Sequence, residues 1–256
     1  MSLPVIPQRH ELKYLISDEQ AVALSRSLSP WCEPDSNSSR STTGRYLVQS
    51  LYFDTPERGL YWASKAEHHN RLKVRVRAYE AGPVFFEVKR KSKRLIRKSR
   101  AMVDREGWAQ RITGAMAADA SPFEQDFRAQ IDRHLLEPAV LVRYQREAWV
   151  GVFDDYARVT IDRQVEYQLH DRLSLDANPN GWMPLDDPKS TLNVRRGVVL
   201  ELKSSVAMPG WMHRLIATLG LWRLSYSKYC LAIERAQGRK NPLPLAPTIP
   251  TWSHEV

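Results

Sequence analysis

Residues 71–77 read Arg71-Leu72-Lys73-Val74-Arg75-Val76-Arg77, and the fold is decided by their strict alternation. Successive side chains of a strand point to opposite faces, so the four basic residues share one face and Leu72, Val74 and Val76 the other. Basic groups at this spacing repel one another unless water or anions lie between them. A solvated outer sheet face would alternate in the same way, so the neighbouring segments decide what the basic face is for.

Outward from this strand, Glu80-Ala81-Gly82-Pro83 reads as a turn into a second strand, Val84–Lys91, and a third follows at Leu95–Asp104. Glu and Lys stand two residues apart in Glu11-Leu12-Lys13, Glu87-Val88-Lys89 and Glu201-Leu202-Lys203. Each triplet projects a carboxylate and an ammonium from one face and an apolar side chain from the other. A merely solvated face has no need to repeat that chemistry on separate strands. Lys98 and Arg100 share a face as well, and Arg158 alternates with Val159 and Ile161. If these faces converge, they line a cavity with Lys, Arg and a few Glu, as a sheet closed into a barrel would, its apolar outer face covered by helices. Unpaired buried charges are costly, so such a lumen has to be wet and to hold a polyanion.

The rest of the chain supplies those layers. Arg9–Ile16, Tyr46–Phe53, Val140–Val150, Arg158–Gln168 and Val198–Ser204 read as strands. Ser17 caps a helix carrying Val22 and Leu28, a short helix is expected near Leu60–Ala66, and two more at Arg105–Ala117 and Pro122–Leu136. In the last of these Phe123, Phe127, Ile131 and Leu135 form a core-facing stripe. Trp211, Leu215 and Leu219 mark another helix, and the segment Leu224–Ala236 follows it. Glu33–Gly44 and Asp171–Arg196 read as loops, and Asp186-Asp187 as a turn. The order of elements predicts an α+β fold with a largely antiparallel sheet, forming one domain over residues 1–238 and a Pro-rich tail over 239–256.

The composition is compatible with this. Of 256 residues 43% are hydrophobic and 26% charged, which excludes wholesale disorder and fibrous folds. Lys and Arg exceed Asp and Glu by 38 to 29, a formal charge of +9, so an acidic partner is expected: nucleic acid, an anionic surface or a phosphate-rich ligand. No stretch reaches the apolar length of a membrane span, and Met1–Gln8 lacks the pattern of a secretory signal. Cys32 and Cys230 make no disulfide framework, and a reducing cytoplasm is the simpler setting.

Arg and Lys clamp phosphate oxygens, and several clamps in a row suit several phosphates in a row. Sparse carboxylates then fit as ligands of Mg²⁺ or Mn²⁺, which take one or two from the protein and complete their shell with water and phosphate oxygens. Phosphoryl transfer asks the protein mainly for positioning and charge neutralisation. The sequence has no Walker A loop, no Gly-x-Gly-x-x-Gly and no Gly-x-Ser-x-Gly, and His68-His69 lacks the spacing of a helical zinc pair. Nucleic acid is disfavoured, because single-strand readers stack bases on aromatics of the binding face, and here that face is basic.

The ordered motifs from Arg9 to Glu234 resemble the VTC domain, the polyphosphate polymerase branch of the CYTH or triphosphate tunnel metalloenzyme superfamily. They are Arg9-His10-Glu11-Leu12-Lys13-Tyr14, Ser50-Leu51-Tyr52-Phe53-Asp54-Thr55, Lys73-Val74-Arg75-Val76-Arg77, Phe86-Glu87-Val88-Lys89, Lys98-Ser99-Arg100 and Tyr144-Gln145-Arg146-Glu147-Ala148. Arg158-Val159-Thr160-Ile161-Asp162, Leu200-Glu201-Leu202-Lys203 and Ser227-Lys228-Tyr229 complete the series. The resemblance implies a closed, eight-stranded antiparallel β-barrel tunnel with helices packed outside. It also implies transfer of the terminal phosphate of ATP onto a growing polyphosphate chain with Mn²⁺ or Mg²⁺. The phosphate clamps it implies are Lys13, Arg75, Arg77, Lys89, Lys98, Arg146, Arg158 and Lys228. Arg100, Lys203 and Ser227 join Lys98 in cofactor binding. Glu201 would be the principal metal ligand, with Glu11 and Glu87 beside it. ATP and inorganic polyphosphate would be the partners, and a membrane protein that receives the product would not be visible in the sequence. Hydrolases and cyclases of the superfamily begin Glu-x-Glu-x-Lys, and here Arg9 takes the first Glu position, which favours holding a long polyanion over two-metal hydrolysis. A tri- or polyphosphatase on the same fold and a non-catalytic polyphosphate- or nucleotide-binding module are the competing readings.

Overall fold

The computed structural model describes residues 10–80, 82–93, 95–154, 156–187, 197–205 and 207–238. Arg9 and the Pro-rich tail expected over 239–256 lie outside the described residues, as does part of the loop expected before residue 198. The strands are β1 (His10–Ile16), β2 (Cys32–Pro34), β3 (Tyr46–Asp54), β4 (Asn70–Tyr79), β5 (Val84–Ser92), β6 (Leu95–Val103), β7 (Glu137–Gly151), β8 (Ala157–Leu169), β9 (Met183–Pro184) and β10 (Val198–Ser204). The helices are α1 (Asp18–Ser27), α2 (Ser36–Arg40), α3 (Gly59–Lys65), α4 (Trp108–Thr113), α5 (Pro122–His134), α6 (Gly210–Thr218) and α7 (Lys228–Ala236).

All strand pairs among the described residues are antiparallel, in the order β1-β10-β8-β7-β3-β4-β5-β6, with β2 on β7 and β9 on β8. The protein is therefore α+β with one curled antiparallel sheet. Its backbone ladder is open, because β1 and β6 end the path and do not pair with each other. The two ends of the curl nevertheless approach: Lys89 Nζ on β5 lies 3.4 Å from Glu11 Oε2 on β1.

The convex face is covered in two patches. Ile16, Val159, Ile161, Leu200 and Leu202 pack under α1 and α6 with Leu24, Trp211 and Met212. Val74, Val76, Phe86 and Val88 pack under α4 and α5 with Trp108, Ile112 and Phe127. These are the apolar alternates that the strand pattern assigned to the outside. A third core lies on the concave face, where Leu15, Tyr52, Tyr144 and Val199 enclose Tyr229, Ala232 and Ile233 of α7. Not every helix packs outside, then: α7 plugs one end of the curl from within. Its apolar side chains cover the part of the concave face that carries no charges.

Several local expectations change. Val22 is exposed on α1, and the buried stripe runs through Ala21, Leu24 and Leu28. Leu135 caps α5 in a left-handed conformation and is 78% exposed, so the stripe ends at Ile131. The polar segment 33–44 is no plain loop: it contributes β2 and then α2, whose N-cap Asp35 is buried. Asp186 is buried rather than a surface turn and accepts the amide of Val165 at 2.9 Å. A bulge sets Gln164 and Val165 against Tyr144, with Gln164 at φ 52°, and reverses which residues of β8 face inward. Before it Asp162 faces the concave side; after it Val165 does. Periodicity read straight through β8 fails at that point.

Candidate functional site

The concave face closes around a cavity of about 400 Å³ whose lining includes Lys and Arg at eleven positions and Glu at three. The ladder registers explain the convergence. Arg75 stands between Tyr52 on β3 and Glu87 on β5, and Glu87 stands opposite Arg100 on β6. One step along, Lys73, Lys89 and Lys98 lie abreast on β4, β5 and β6. Across the cavity Lys13 is opposite Glu201, and Glu11 opposite Lys203, which in turn faces Arg158.

The site divides into three groups. In the first, Arg75 Nε donates to Glu87 Oε2 at 2.7 Å, with Arg77 at 3.7 Å and Arg100 at 3.4 Å from the same carboxylate. Burial opposes ionisation of Glu87, but the three arginines hold its carboxyl well below the usual range. Arg75 also donates to the Tyr52 hydroxyl at 2.9 Å. In the second, Asp162 is fully buried and receives Arg146 through two bonds, 2.7 and 2.8 Å, and Lys228 Nζ at 2.6 Å. Against the cost of burial these two cations keep Asp162 ionised. Lys228 and the N-cap Ser227 begin α7, so the plugging helix delivers both to the cavity.

In the third, Lys13 lies 3.3 Å from both Glu11 Oε1 and Glu201 Oε1, and Lys203 lies 2.6 Å from Glu201 Oε2. Burial would raise both carboxyls, yet surrounding ammonium groups hold Glu201 and Glu11 well below the ordinary value. The Lys73–Lys89–Lys98 row lacks such compensation. Lys89 has the distant edge of Glu11, and Lys73 donates to Ser227 Oγ at 2.9 Å. Burial draws all three ammonium groups down, and Lys98, with Lys89 next to it, to about 8.

All fourteen residues expected at the site line this cavity: Lys13, Arg75, Arg77, Lys89, Arg146, Arg158, Lys228, Lys98, Arg100, Lys203, Ser227, Glu201, Glu11 and Glu87. The structure does not group the three glutamates. Glu11 and Glu201 share Lys13, while Glu87 is committed to arginines on the other strands. Among the described residues no cluster of three or more His, Cys, Asp or Glu gathers as a metal centre. The expected surface pair His68-His69 is exposed. Cys32 and Cys230 are free thiols, both buried.

Sequence reasoning passed over Asp162, Asp35, Tyr52 and Tyr144 as site residues, and it placed Lys73 on the basic face without naming it as a clamp. Asp162 could have been found, since it shares the phase of Arg158 in Arg158-Val159-Thr160-Ile161-Asp162. Asp35, which accepts Arg158 Nη2 at 2.7 Å, gave no signal, because nothing local ties a polar loop to a strand 123 residues away. Arg146 rather than Arg143 faces the cavity; Arg143 lies outside, bonded to Glu166 at 2.7 Å and stacked 4.1 Å from the Trp182 ring centre.

The family model described as the VTC domain matches residues 8–237. A candidate adenylate cyclase from Bacillus halodurans shares 12% identity over 86% of this chain and 94% of its own, with a TM-score of 0.49. A protein from Pyrococcus horikoshii OT3 shares 13% over 89% and 99%, TM-score 0.46. A candidate adenylate cyclase from Vibrio parahaemolyticus shares 12% over 88% and 97%, TM-score 0.46. No curated protein matches by sequence.

Proposed function

Because the chain belongs to the VTC domain family, we propose that it moves the terminal phosphate of ATP onto an inorganic polyphosphate chain held in the basic cavity. Family membership supports phosphoryl chemistry in general; the finer reading rests on one observation. Eleven cationic side chains converge on a cavity with three lining carboxylates. Neutralised only in part, such a wall is stable in the presence of a dense linear anion, and phosphate chains carry about one charge per unit. In this reading the curl works as a closed tunnel, with the ligand bridging β1 and β6, the ends of the sheet path among the described residues.

The roles follow from the contacts. Arg75, Arg77, Arg100, Arg146 and Arg158 orient phosphate oxygens, each pre-positioned by a carboxylate that leaves further N–H groups free to donate. Lys13, Lys89, Lys98, Lys203 and Lys228 supply point charge that offsets what builds on the bridging oxygen as the bond to the leaving nucleotide breaks. Ser227 fixes the start of α7 and with it Lys228.

A divalent ion fits part of the expected donor set. Glu11 and Glu201 are ionised and share one ammonium, so their oxygens already converge on a cation. Two carboxylates, completed by water and phosphate oxygens, suit Mg²⁺ or Mn²⁺. Glu87 fits an arginine-orienting role better. When bound, the ion would supply charge neutralisation of the transferring phosphates.

Incubation with ATP and Mn²⁺ followed by phosphorus NMR tests the reading. Chain-internal phosphate signals are expected. Orthophosphate alone would replace synthesis by hydrolysis, and unchanged ATP would leave a binding module.

A further inference from the structure

Behind the cavity, on the convex face of the same strands, lies a separate groove of about 390 Å³ between α1, the segment around α2, and β7 and β8. Arg26, Arg45 and Arg163 line it together with Glu147, Trp149 and Ser38. It has its own built polar floor. Arg163 is only 6% exposed, donates from Nη1 to Glu147 Oε2 at 2.9 Å, and keeps Nη2 buried without a hydrogen-bond partner. Trp149 Nε1 donates to the other oxygen of Glu147 at 2.9 Å. Arg45 reaches Glu147 only at 3.9 Å, and no ion pair is seen for Arg26 among the described residues. Three guanidinium groups therefore face Glu147, which two donors already engage, and the nearest other carboxylate is the part-exposed Asp18, whose Oδ1 lies 3.6 Å from Arg163 Nε.

We propose that this groove is a second oxyanion site, taking a small multiply charged anion such as pyrophosphate, and that its occupancy is felt in the basic cavity. A guanidinium with unfilled donors gains two parallel bonds from a phosphate or pyrophosphate oxygen pair, and the remaining excess of cations over Glu147 and Asp18 favours an anion. A site for a neutral or cationic ligand would not place Arg26 and Arg45 at its rim.

Two short routes connect the faces. The Arg163–Glu147 pair sits directly behind the Arg146–Asp162 pair, since Arg146 is opposite Asp162 in the ladder and the outer residues are their chain neighbours. Ser38, in the groove wall, accepts the amide of Ala148 at 3.0 Å, and its own amide donates to Asp35 Oδ1 at 2.9 Å. The other oxygen of Asp35 holds Arg158 in the cavity at 2.7 Å. An anion drawing Arg45 and the α2 segment inward therefore acts on the carboxylate that positions Arg158.

The indole N–H of Trp149 is a local reporter. In protein labelled at tryptophan nitrogen, its resonance, assigned with Trp149→Phe, is followed while inorganic pyrophosphate is added. A saturable shift is expected, with affinity lowered about tenfold or more in Arg26→Ala/Arg45→Ala. Both residues are rim groups, so the variant should melt as the wild type does and still bind tripolyphosphate in the basic cavity by calorimetry. That second measurement separates failure of the groove from failure of the cavity reading. No saturable shift in the wild type, or the same affinity in the double variant, overturns the proposal.

Discussion

Glu201 is the residue with the most at stake, because Lys13, Lys203 and Lys228 all crowd its carboxylate. Glu201→Gln keeps the shape and removes the charge. If the carboxylate serves only to hold lysines apart, anion binding tightens and turnover changes little. If it is a metal ligand, turnover should fall about 10²-fold or more at saturating ATP, while metal-free tripolyphosphate binds at least as well as before. Turnover assays paired with calorimetry decide it. Lys98 makes a pH-dependent statement. Its ammonium is held down to about 8, so the free site loses a positive charge as pH rises through that value, and affinity for phosphate anions falls with it. Lys98→Arg stays charged throughout, so the ratio of its tripolyphosphate affinity to that of the wild type should rise between pH 7 and 9, the ligand's own titration cancelling in the ratio. For stability the sign is opposite. The unfolded chain keeps this proton up to the ordinary lysine range, so between about pH 8 and that range the folded state gains relative to the unfolded one as pH rises.

At the level of elements, three buried carboxylates tie the concave plug: Asp162 through Lys228, Glu234 of α7 through Lys65, and Asp54 through Tyr229. Asp54 accepts the amides of Thr55 and Leu60, both at 2.7 Å, the amide of Tyr61 at 3.0 Å, and the hydroxyl of Tyr229. It thus starts α3 and pins α7, which carries Ser227 and Lys228 into the site. Asp54→Ala leaves several buried donors unsatisfied and should cost about 2–4 kcal/mol, read as a lower denaturant midpoint, whereas Tyr229→Phe should cost about 1 kcal/mol. If both variants match the wild type, α7 is held by apolar packing and the Lys228–Asp162 and Lys65–Glu234 pairs, and Asp54 adds nothing. The Tyr52-Phe53-Asp54-Thr55 stretch was legible as a strand running into a helix, but its reach to α7 was not, since no local pattern encodes a contact 175 residues away. The same limit explains the segment 33–44. Its polar composition fits a loop, and only the register with β7 shows that Asp35 and Ser38 are buried structural groups. Strand faces, by contrast, were legible because a two-residue period needs no distant information; it failed where the bulge at Gln164 broke the period.

For the whole molecule the question is what joins the two ends of the sheet. Among the described residues strands β1 and β6 both lack a partner on one side, and the seam is spanned by Lys89 and Glu11 at 3.4 Å, a part-exposed pair of little intrinsic strength. The cations that would grip a phosphate chain come from both sides of that seam: Lys13 from β1, and Lys98 and Arg100 from β6. A polyanion in the cavity is therefore a cross-link between edges that the backbone leaves open. Saturating tripolyphosphate, at about 100 times its dissociation constant, should stabilise the fold by roughly 2.7 kcal/mol through mass action alone. The distribution of that gain is the sharper test. Amide exchange should slow most in β1 and β6, whose outer backbone groups open to solvent first, and little in β7 and β8 at the centre. Raising the salt concentration should erode the effect, as expected for a contact made of charges. Protection spread evenly over the sheet, or confined to the loops, would mean that the ligand does not bridge the seam and that the curl is not a tunnel in the bound state.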